Sequence, residues 1–487
     1  YARRNRAIRI WDESLAESDQ IGIARVIAKT VEHEKPGLVF CGAQSADHGH
    51  AQTGIAVAGL LGWAHAAVVS GLDYVPGAPL ATIDRELEGG LVQKLSIETP
   101  AVLTIQLGIN KPRYASLRSI KQANAKPIDV LSPAEIGLDP SQTGLAGSLS
   151  RVRRMYIPER GRSVMIEGAP AEQAARILEI VKEAIGAAEQ IKFGAGGPVS
   201  VLVVAPDPEK YSAALSVGCV DEVILARSAA AEEFEPHLVQ AALRQVISER
   251  APSVVLIPHS VDGCGVAPAL ASALEAGSAS DVFALHYDGA ELIATRAAYK
   301  EKVFVELEFP GKASVILTLR SGAFQAAAAP AQARETPIEV DFTAGPHSKH
   351  LGWKDPPPNG GIDIPGASFI LSIGRGVGDE ANVEQFLELA DSLGATLGCS
   401  RPIADNGWLP KARQVGQSGQ LAAKCKLYIA MGISGSVQHQ WGMKHVETII
   451  AVNKDPEASI FSVAKFGVVG DMLEIAEELQ KQIVTAS

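Results

Sequence analysis

An internal repeat at a spacing of 215 residues constrains the fold of this chain more than any other feature. The apolar run at 39–41 returns at 254–256, and a loop of small and polar residues follows each run. Matches at this spacing are Ser45 with Ser260, Asp47 with Asp262, Ala56 with Ala271, Ala58 with Ala273 and Gly62 with Gly277, and Thr104 matches Thr318 at a spacing of 214. This shared order predicts two copies of one α/β domain.

The first copy alternates between helical and strand patterns. Apolar residues recur at the helical period over 20–33, and a short apolar run at 38–41 predicts a buried strand. A second helix is expected from about 52 to 61. Strands at about 80–87 and 91–97 flank a glycine turn at 88–90, which predicts a hairpin, and 101–107 reads as another strand.

A third domain follows the Pro/Gly-rich run at 356–361. A strand at 368–373 leads into a glycine loop at 374–378 and a helix at 380–393; such a loop can hold a phosphate, although alone it is as typical of a tight turn. Strands at 427–431 and 448–452 end in loops of small and amide residues, where parallel sheets bind ligands. Hydroxyls, amides and one Arg suit a large polar cofactor.

Composition narrows the class of protein. The length of 487 residues predicts two to four domains, and a net charge of −11 argues against nucleic-acid binding. No apolar run is long enough to predict a membrane span. Five cysteines are scattered singly without metal-like spacing, which is typical of reduced thiols in a cytoplasm-like compartment. The basic start lacks a following apolar segment, so we expect no signal peptide.

Five motifs between 399 and 471 identify a family. In order they are Ser400-Arg401 with Asp405, Gln414-Val415-Gly416-Gln417-Ser418-Gly419, the run from Gly432 to His439, Asn453-Lys454-Asp455-Pro456, and Gly467-Val468-Val469-Gly470-Asp471. They resemble the flavin domain of the electron-transfer flavoprotein alpha subunit over about 363–487. Residues 1–190 resemble the beta subunit, and 196–335 resemble the first domain of the alpha subunit.

The resemblance therefore implies a beta–alpha fusion of three domains. These are a beta-like α/β domain with its tail at 1–190, an alpha-like α/β domain at 191–345 and a Rossmann-like FAD-binding domain at 346–487. The fold expected is thus α/β, with two related doubly wound domains and a C-terminal flavin domain. A helix from about 170 to 190 and a linker at 194–198 are expected to join the first two domains.

The resemblance also assigns FAD-binding residues. It implies that Ser418 faces flavin N5, that His439 lies at the O2 side, that Arg401 lies over the ring and that Glu86 pairs with Arg401. Taken singly, Ser418 is more typical of a turn, His439 of a hydrogen-bonded interior histidine and Arg401 of a surface ion pair. Other positions that match cofactor contacts are Arg375, Ser400, Gln414, Val415, Gly416, Gln417, Gly419, Ser434, Gln438, Asn453 and Asp471.

A second nucleotide is implied in the beta-like half. Family members hold either AMP or a second FAD there, and Gln52 and Thr53 match the AMP pattern. His48 and Ala51 depart from that pattern. We expect AMP, and a second FAD and an ordinary loop without ligand both remain open.

The segment at 110–125 corresponds to the family's partner-docking loop, with Leu117 at the anchoring apolar position. The implied partners are flavin dehydrogenases of the acyl-CoA or amine type and an oxidoreductase of the electron-transfer-flavoprotein:quinone type. Without the resemblance, we would interpret 110–125 as an amphipathic helix packed on its own domain rather than as a docking loop.

Three functions follow. The first is an FAD electron carrier, rather than an enzyme with its own substrate, in the cytoplasm of a bacterium or archaeon, with membrane association only through a partner. The second is an electron-bifurcating flavoprotein that oxidises NADH with two FADs. The third is a nucleotide-binding sensor without redox function, which the intact flavin motifs disfavour.

Two departures from the family predict that segments of the polypeptide are omitted. The beta-like part lacks the usual opening strand and helix. The stretch from 205 to 218 is expected to be too short for the usual helix and strand of the alpha-like part.

Overall fold

The computed structural model describes residues 6–45, 47–87, 91–110, 117–124, 126–157, 170–299, 301–343, 347–354 and 362–486. The described strands are β1 (Ile8–Ile10), β2 (Leu38–Gly42), β3 (Ala64–Asp73), β4 (Leu80–Glu86), β5 (Val92–Glu98), β6 (Ala101–Ile105), β7 (Asp129–Leu131), β8 (Arg151–Tyr156), β9 (Val199–Ala205), β10 (Val220–Arg227), β11 (Val254–Pro258), β12 (Gly277–Asp288), β13 (Glu291–Ala298), β14 (Val303–Glu308), β15 (Val315–Leu319), β16 (Arg334–Ile338), β17 (Ser348–Lys354), β18 (Phe369–Ile373), β19 (Thr396–Cys399), β20 (Leu427–Met431), β21 (Thr448–Asn453) and β22 (Phe466–Val469).

The described α-helices are α1 (Gln20–Glu34), α2 (Thr53–Leu61), α3 (Leu117–Asn124), α4 (Gly144–Gly147), α5 (Pro170–Ala195), α6 (Glu209–Leu215), α7 (Pro236–Arg250), α8 (Val261–Ala273), α9 (Val383–Leu393), α10 (Arg401–Asp405), α11 (Val437–Trp441) and α12 (Met472–Ala486). The chain divides into two compact units. The first contains 1–85, 94–157 and 174–351, and the second contains 86–93, 158–173 and 352–487.

The repeat appears as two sheets with one strand order. The first sheet runs β2-β6-β3-β4-β5-β17, and the second runs β11-β15-β12-β13-β14-β8. One edge strand of each sheet is exchanged between the copies. Strand β8, which precedes the second copy in the chain, completes the second sheet, and strand β17, which follows the second copy, completes the first sheet. The prediction of two related α/β domains is confirmed, and the exchanged edge strands tie the two copies together.

Corresponding threonines explain one of the sequence matches. Thr104 Oγ1 accepts the backbone N–H of Val68 at 3.0 Å, and Thr318 Oγ1 accepts that of Asp281 at 3.1 Å. Val68 and Asp281 both have positive φ, 60° and 57°, where β3 and β12 are irregular. Each hydroxyl therefore accepts from a backbone N–H at the position where the strand pairing is irregular.

The first unit also bears on several sequence expectations. Residues 206–219, between β9 and β10, contain the seven-residue helix α6 and no strand, so the expectation that this stretch is too short for the usual helix and strand stays a prediction. Helix α5 continues to Ala195, into the expected linker. Strand β3 was not predicted, and the structure shows it as a ten-residue strand whose residues are all buried or half-buried except Asp73. The predicted hairpin turn at 88–90 lies outside the described residues.

The second unit contains a parallel sheet with the order β19-β18-β20-β21-β22. Helices α9 and α12 pack on it through a core that includes Phe386, Leu389 and Ala476. From β18 the chain goes to β19 on one side and then crosses to β20 on the other. The strand order therefore reverses at β18, and such a switch point is where open α/β sheets bind ligands.

No helix in the described part of the chain combines the length and the apolar character that a bilayer span requires.

Helix α2 packs closely on helix α8, and Gly59 permits this approach. A Cβ atom at Gly59 would lie 2.3 Å from the carbonyl oxygen of Ala269, whereas one at Gly265 of α8 would meet only Ala67, at 3.9 Å. We expect Gly59→Ala to lower the free energy of unfolding by about 1–2 kcal/mol, because overpacking exceeds the gain in helix propensity. Urea titration measures this change.

Gly265→Ala is the matched control, since it also replaces a glycine inside a helix. It is expected to leave the free energy of unfolding unchanged or to raise it by up to about 1 kcal/mol. Equal effects of the two substitutions would contradict the close-packing explanation.

Candidate cofactor site

The loops after β18 and β20 meet at the switch point of the second unit. Gly376 N donates to the carbonyl of Gly432 at 3.1 Å. A Cβ atom at Gly374 would lie 2.3 Å from that same oxygen, so a larger residue would force the two loops apart. The glycine loop predicted from the sequence therefore holds a neighbouring loop in place.

The loop at 414–419 is fixed between β19 and helix α11. Val415 N donates to Cys399 O at 2.8 Å, and Gln417 N donates to Gln438 O at 2.7 Å. Gly416 has a φ of 140°, and a Cβ atom there would lie 2.7 Å from Gln438 O. A residue with a side chain would be strained and would clash, so this glycine allows the two loops to approach.

Arg401 is the centre of the polar contacts in this region. It begins helix α10, directly after β19. Its Nη1 donates to Ser418 Oγ at 3.0 Å, its Nη2 to Glu86 Oε2 at 3.0 Å and its Nε to Asp405 Oδ2 at 3.1 Å. Because each guanidinium nitrogen has a different partner, the plane of the group is fixed.

Glu86 belongs to the second unit and is 2% exposed. One carboxylate oxygen binds Arg401, and the other accepts from Lys411 Nζ at 2.6 Å. A buried carboxylate needs such pairing, since removal from water is costly. Lys411 was not predicted from the sequence. Its partner lies 325 residues away, and the motif that follows Lys411 gives no signal of the contact.

The hydroxyl of Ser418 accepts two hydrogen bonds. Arg401 Nη1 and Gln414 Nε2 each donate to its Oγ at 3.0 Å. These two donors use both lone pairs, so the hydroxyl proton is left for a third partner. Gln414 is 1% exposed, and its Oε1 has no hydrogen-bond partner among the residues that the structure describes. An unsatisfied buried polar atom beside a hydroxyl is a mark of a polar ligand site.

His439 lies in α11 and is 4% exposed. Its Nε2 is 3.1 Å from the hydroxyl oxygen of Tyr428. Burial lowers the pKa of His439 to about 4, because the imidazolium would lose its hydration. The side chain is therefore a neutral hydrogen-bonding group at pH 7.

The remaining predicted residues of this unit divide into three groups. Two hold loops: Asn453 Nδ2 donates to Ile433 O at 2.8 Å, and Asp471 accepts from Leu473 N at the start of α12 and pairs with Lys454 at 2.8 Å. This pairing with Lys454 lowers the pKa of Asp471. Buried positions are Ser400, Val415 and Gly419. Exposed positions are Arg375 and Ser434, in the loops after β18 and β20, and Gln438 in α11.

Gln52 and Thr53 lie in the first unit, at the start of α2. Gln52 is 2% exposed and donates through Nε2 to Ser278 Oγ at 2.9 Å, so it joins the two copies of the repeat. The preceding loop is held by Arg296, which donates to the carbonyls of His48 and Gly49 at 2.7 and 3.1 Å. Gln52 is thereby held at the start of α2, and Thr53 is the first residue of that helix.

Leu117 is the first residue of α3, and its side chain lies outside the described part of the structure. Residues 111–116 of the expected docking loop are also outside the described ranges. Ile120, on the same helix, is 43% exposed and is followed by Lys121.

The low pKa of His439 predicts a pH dependence of stability. The unfolded chain takes up a proton near pH 6.5, whereas the folded chain resists protonation until about pH 4. The stability contributed by neutral His439 is therefore present above pH 6.5 and is lost as the pH falls towards 4. Between pH 7 and 5 we expect wild type to lose about 2 kcal/mol more than His439→Gln.

Urea unfolding of both proteins at pH 7, 6 and 5 measures this difference. The other histidines are common to both proteins, so their contributions cancel. Parallel pH profiles would show that His439 is not held neutral by burial.

Comparisons with known proteins match both parts of the chain. Residues 363–444 match the profile of the electron transfer flavoprotein FAD-binding domain, and residues 2–136 and 169–344 match that of the electron transfer flavoprotein domain. Together these matches span most of the chain.

Two relatives come from Methylophilus methylotrophus. Its electron transfer flavoprotein subunit alpha is 50% identical over 304 residues, which are 62% of this chain and 93% of the relative. Its subunit beta is 56% identical over 183 residues, which are 38% of this chain and 69% of the relative. Subunit alpha of Bacillus subtilis is 30% identical over 322 residues, 66% of this chain and 97% of the relative. The chain therefore belongs to the electron transfer flavoprotein family and joins a beta-like and an alpha-like part in one polypeptide.

Proposed function

We propose that this chain carries electrons through one FAD held in its second unit. It would accept them from flavin dehydrogenases of the acyl-CoA or amine type and deliver them to a membrane-associated, quinone-linked oxidoreductase. The observation that carries this proposal is the hydroxyl of Ser418. Arg401 and Gln414 occupy both of its lone pairs, so its proton is available to one acceptor on a bound ligand.

The residues around Ser418 fit a flavin. When bound, FAD supplies the capacity to take up and release electrons one or two at a time. The Ser418 hydroxyl would donate to the ring, and the guanidinium of Arg401 would stabilise negative charge that develops there on reduction. His439 would contribute a neutral imidazole from its buried position. The unpartnered Oε1 of Gln414 provides an acceptor for a ligand N–H.

We further propose AMP in the beta-like half. The backbone N–H groups at the start of α2 and the hydroxyl of Thr53 suit a phosphate. The buried Oε1 of Gln52 lacks a hydrogen-bond partner among the described residues, so it is available to a ligand donor. The alternative is a second FAD in this half, in a bifurcating protein that oxidises NADH.

Partner docking is proposed at α3. An exposed Ile120 beside Lys121 is typical of a transient interface with an acidic partner, and Leu117 is the proposed anchor.

The nucleotide content of the purified protein tests these proposals. We expect one FAD and one AMP per chain, released by acid and quantified by chromatography against standards. Two FADs, together with bleaching of the flavin by NADH, would replace the simple carrier with a bifurcating protein. Absence of flavin from protein refolded with FAD would refute the carrier.

Ser418→Ala tests the role of the hydroxyl. We expect FAD to stay bound and its midpoint potential to become more negative by about 40 mV for a one-electron step, which corresponds to the loss of a hydrogen bond of about 1 kcal/mol. Spectroelectrochemical titration measures this shift.

Ser392→Ala is the matched control, because Ser392 lies in α9 and its hydroxyl donates to Glu388 O. It is expected to keep the wild-type potential. A wild-type potential in Ser418→Ala would remove the hydroxyl from the proposed mechanism.

A further inference from the structure

We propose that Lys411 is a positioning residue that sets the potential of the flavin by neutralising Glu86. The proposal rests on the function proposed above, since it requires FAD beside Arg401 and Ser418. Lys411 matches none of the positions that the flavin motifs assign to the cofactor.

The contacts of Glu86 give the first argument. Each of its two carboxylate oxygens binds one cation, Arg401 at 3.0 Å and Lys411 at 2.6 Å. With Lys411 present, Arg401 needs only one nitrogen for Glu86 and keeps Nη1 on Ser418. Without Lys411, the second oxygen would lose its partner. Pairing of Arg401 through two nitrogens would then compete with its bond to Ser418.

The local charge gives the second argument. The connected group contains two carboxylates, Glu86 and Asp405, and two cations, Arg401 and Lys411. Its formal charge is therefore zero. Loss of the Lys411 cation leaves a net negative charge next to the Ser418 hydroxyl, and negative charge there opposes reduction of a flavin.

The exposure of these side chains gives the third argument. The side chain of Glu86 is 2% exposed, so its charge is poorly screened by water. Lys411 is 41% exposed and reaches the carboxylate from the solvent side. Salt therefore weakens the influence of Lys411 more than it weakens the buried charge of Glu86.

Lys411→Gln in the full chain tests this role. We expect FAD to remain bound and the one-electron equilibrium constant for its reduction to fall on the order of tenfold, which is about 59 mV towards negative potential. The shift should decrease as the salt concentration rises. Lys411→Arg keeps the positive charge and is expected to restore a potential close to wild type.

Lys481→Gln is the control for loss of a lysine in the same unit. Lys481 pairs with Glu477 and Glu478 on the surface of α12, and its replacement is expected to leave the potential unchanged. An unchanged potential in Lys411→Gln, or the same loss in Lys411→Arg, would overturn the proposal.

If Lys411→Gln alone yields too little folded protein, the effect of Lys411 can be measured by comparing Glu86→Gln with a double variant. Glu86→Gln removes the negative charge and should move the potential in the positive direction. The double variant Glu86→Gln, Lys411→Gln restores a net charge of zero without an unpaired buried carboxylate, so its potential should return towards wild type. A double variant that matches Glu86→Gln would show that Lys411 has no effect.

The two proposals fail in different ways. Wild-type protein without flavin would refute the proposed carrier. Flavin that binds normally and has the same potential with and without Lys411 would refute only the role of Lys411.

Discussion

A carboxylate removed from water has to be balanced by positive charge, and the candidate cofactor site is built around one such group. Glu86 is almost completely buried and receives one cation on each oxygen. The cost of burying this charge makes both cations part of the structure. Arg401 is thereby fixed in a position from which it also binds Ser418. One electrostatic requirement thus orders the polar groups that face the proposed flavin.

The first unit meets a similar requirement twice. Arg85 in β4 and Arg296 in β13 are 0% and 1% exposed, and each binds a group of the other copy, in the first turn of α8 and in the loop after β2 respectively. Arg85 pairs with Asp262, and Arg296 donates to backbone carbonyls of the opposite loop. Burial lowers the pKa of Arg296 to about 10. Together with the exchanged edge strands, these arginines make the two copies depend on each other for satisfied polar groups.

Membership of the family narrows the class of function but does not fix the potential of the flavin. The FAD-binding domain and the two subunit-like parts follow from the matches to known proteins. The potential of a flavin depends instead on the charges and hydrogen bonds around it. The cation of Lys411 is one such charge in our proposal, and its contact with Glu86 comes from the fold rather than from a motif.

The sequence by itself determined the α/β class, the repeat and the family, because each depends on short-range patterns or on residues kept at fixed spacing. It located α1, β18, β20 and β21 to within a residue or two, since apolar periodicity reports burial of a face. It missed β3 and α6, where small residues and short length weaken that periodicity. Only the tertiary structure decided the exchange of β8 and β17, because strand partners far apart in the chain leave no local pattern. The same reason applies to Lys411, whose contact with Glu86 exists only after the fold has brought residues 86 and 411 together.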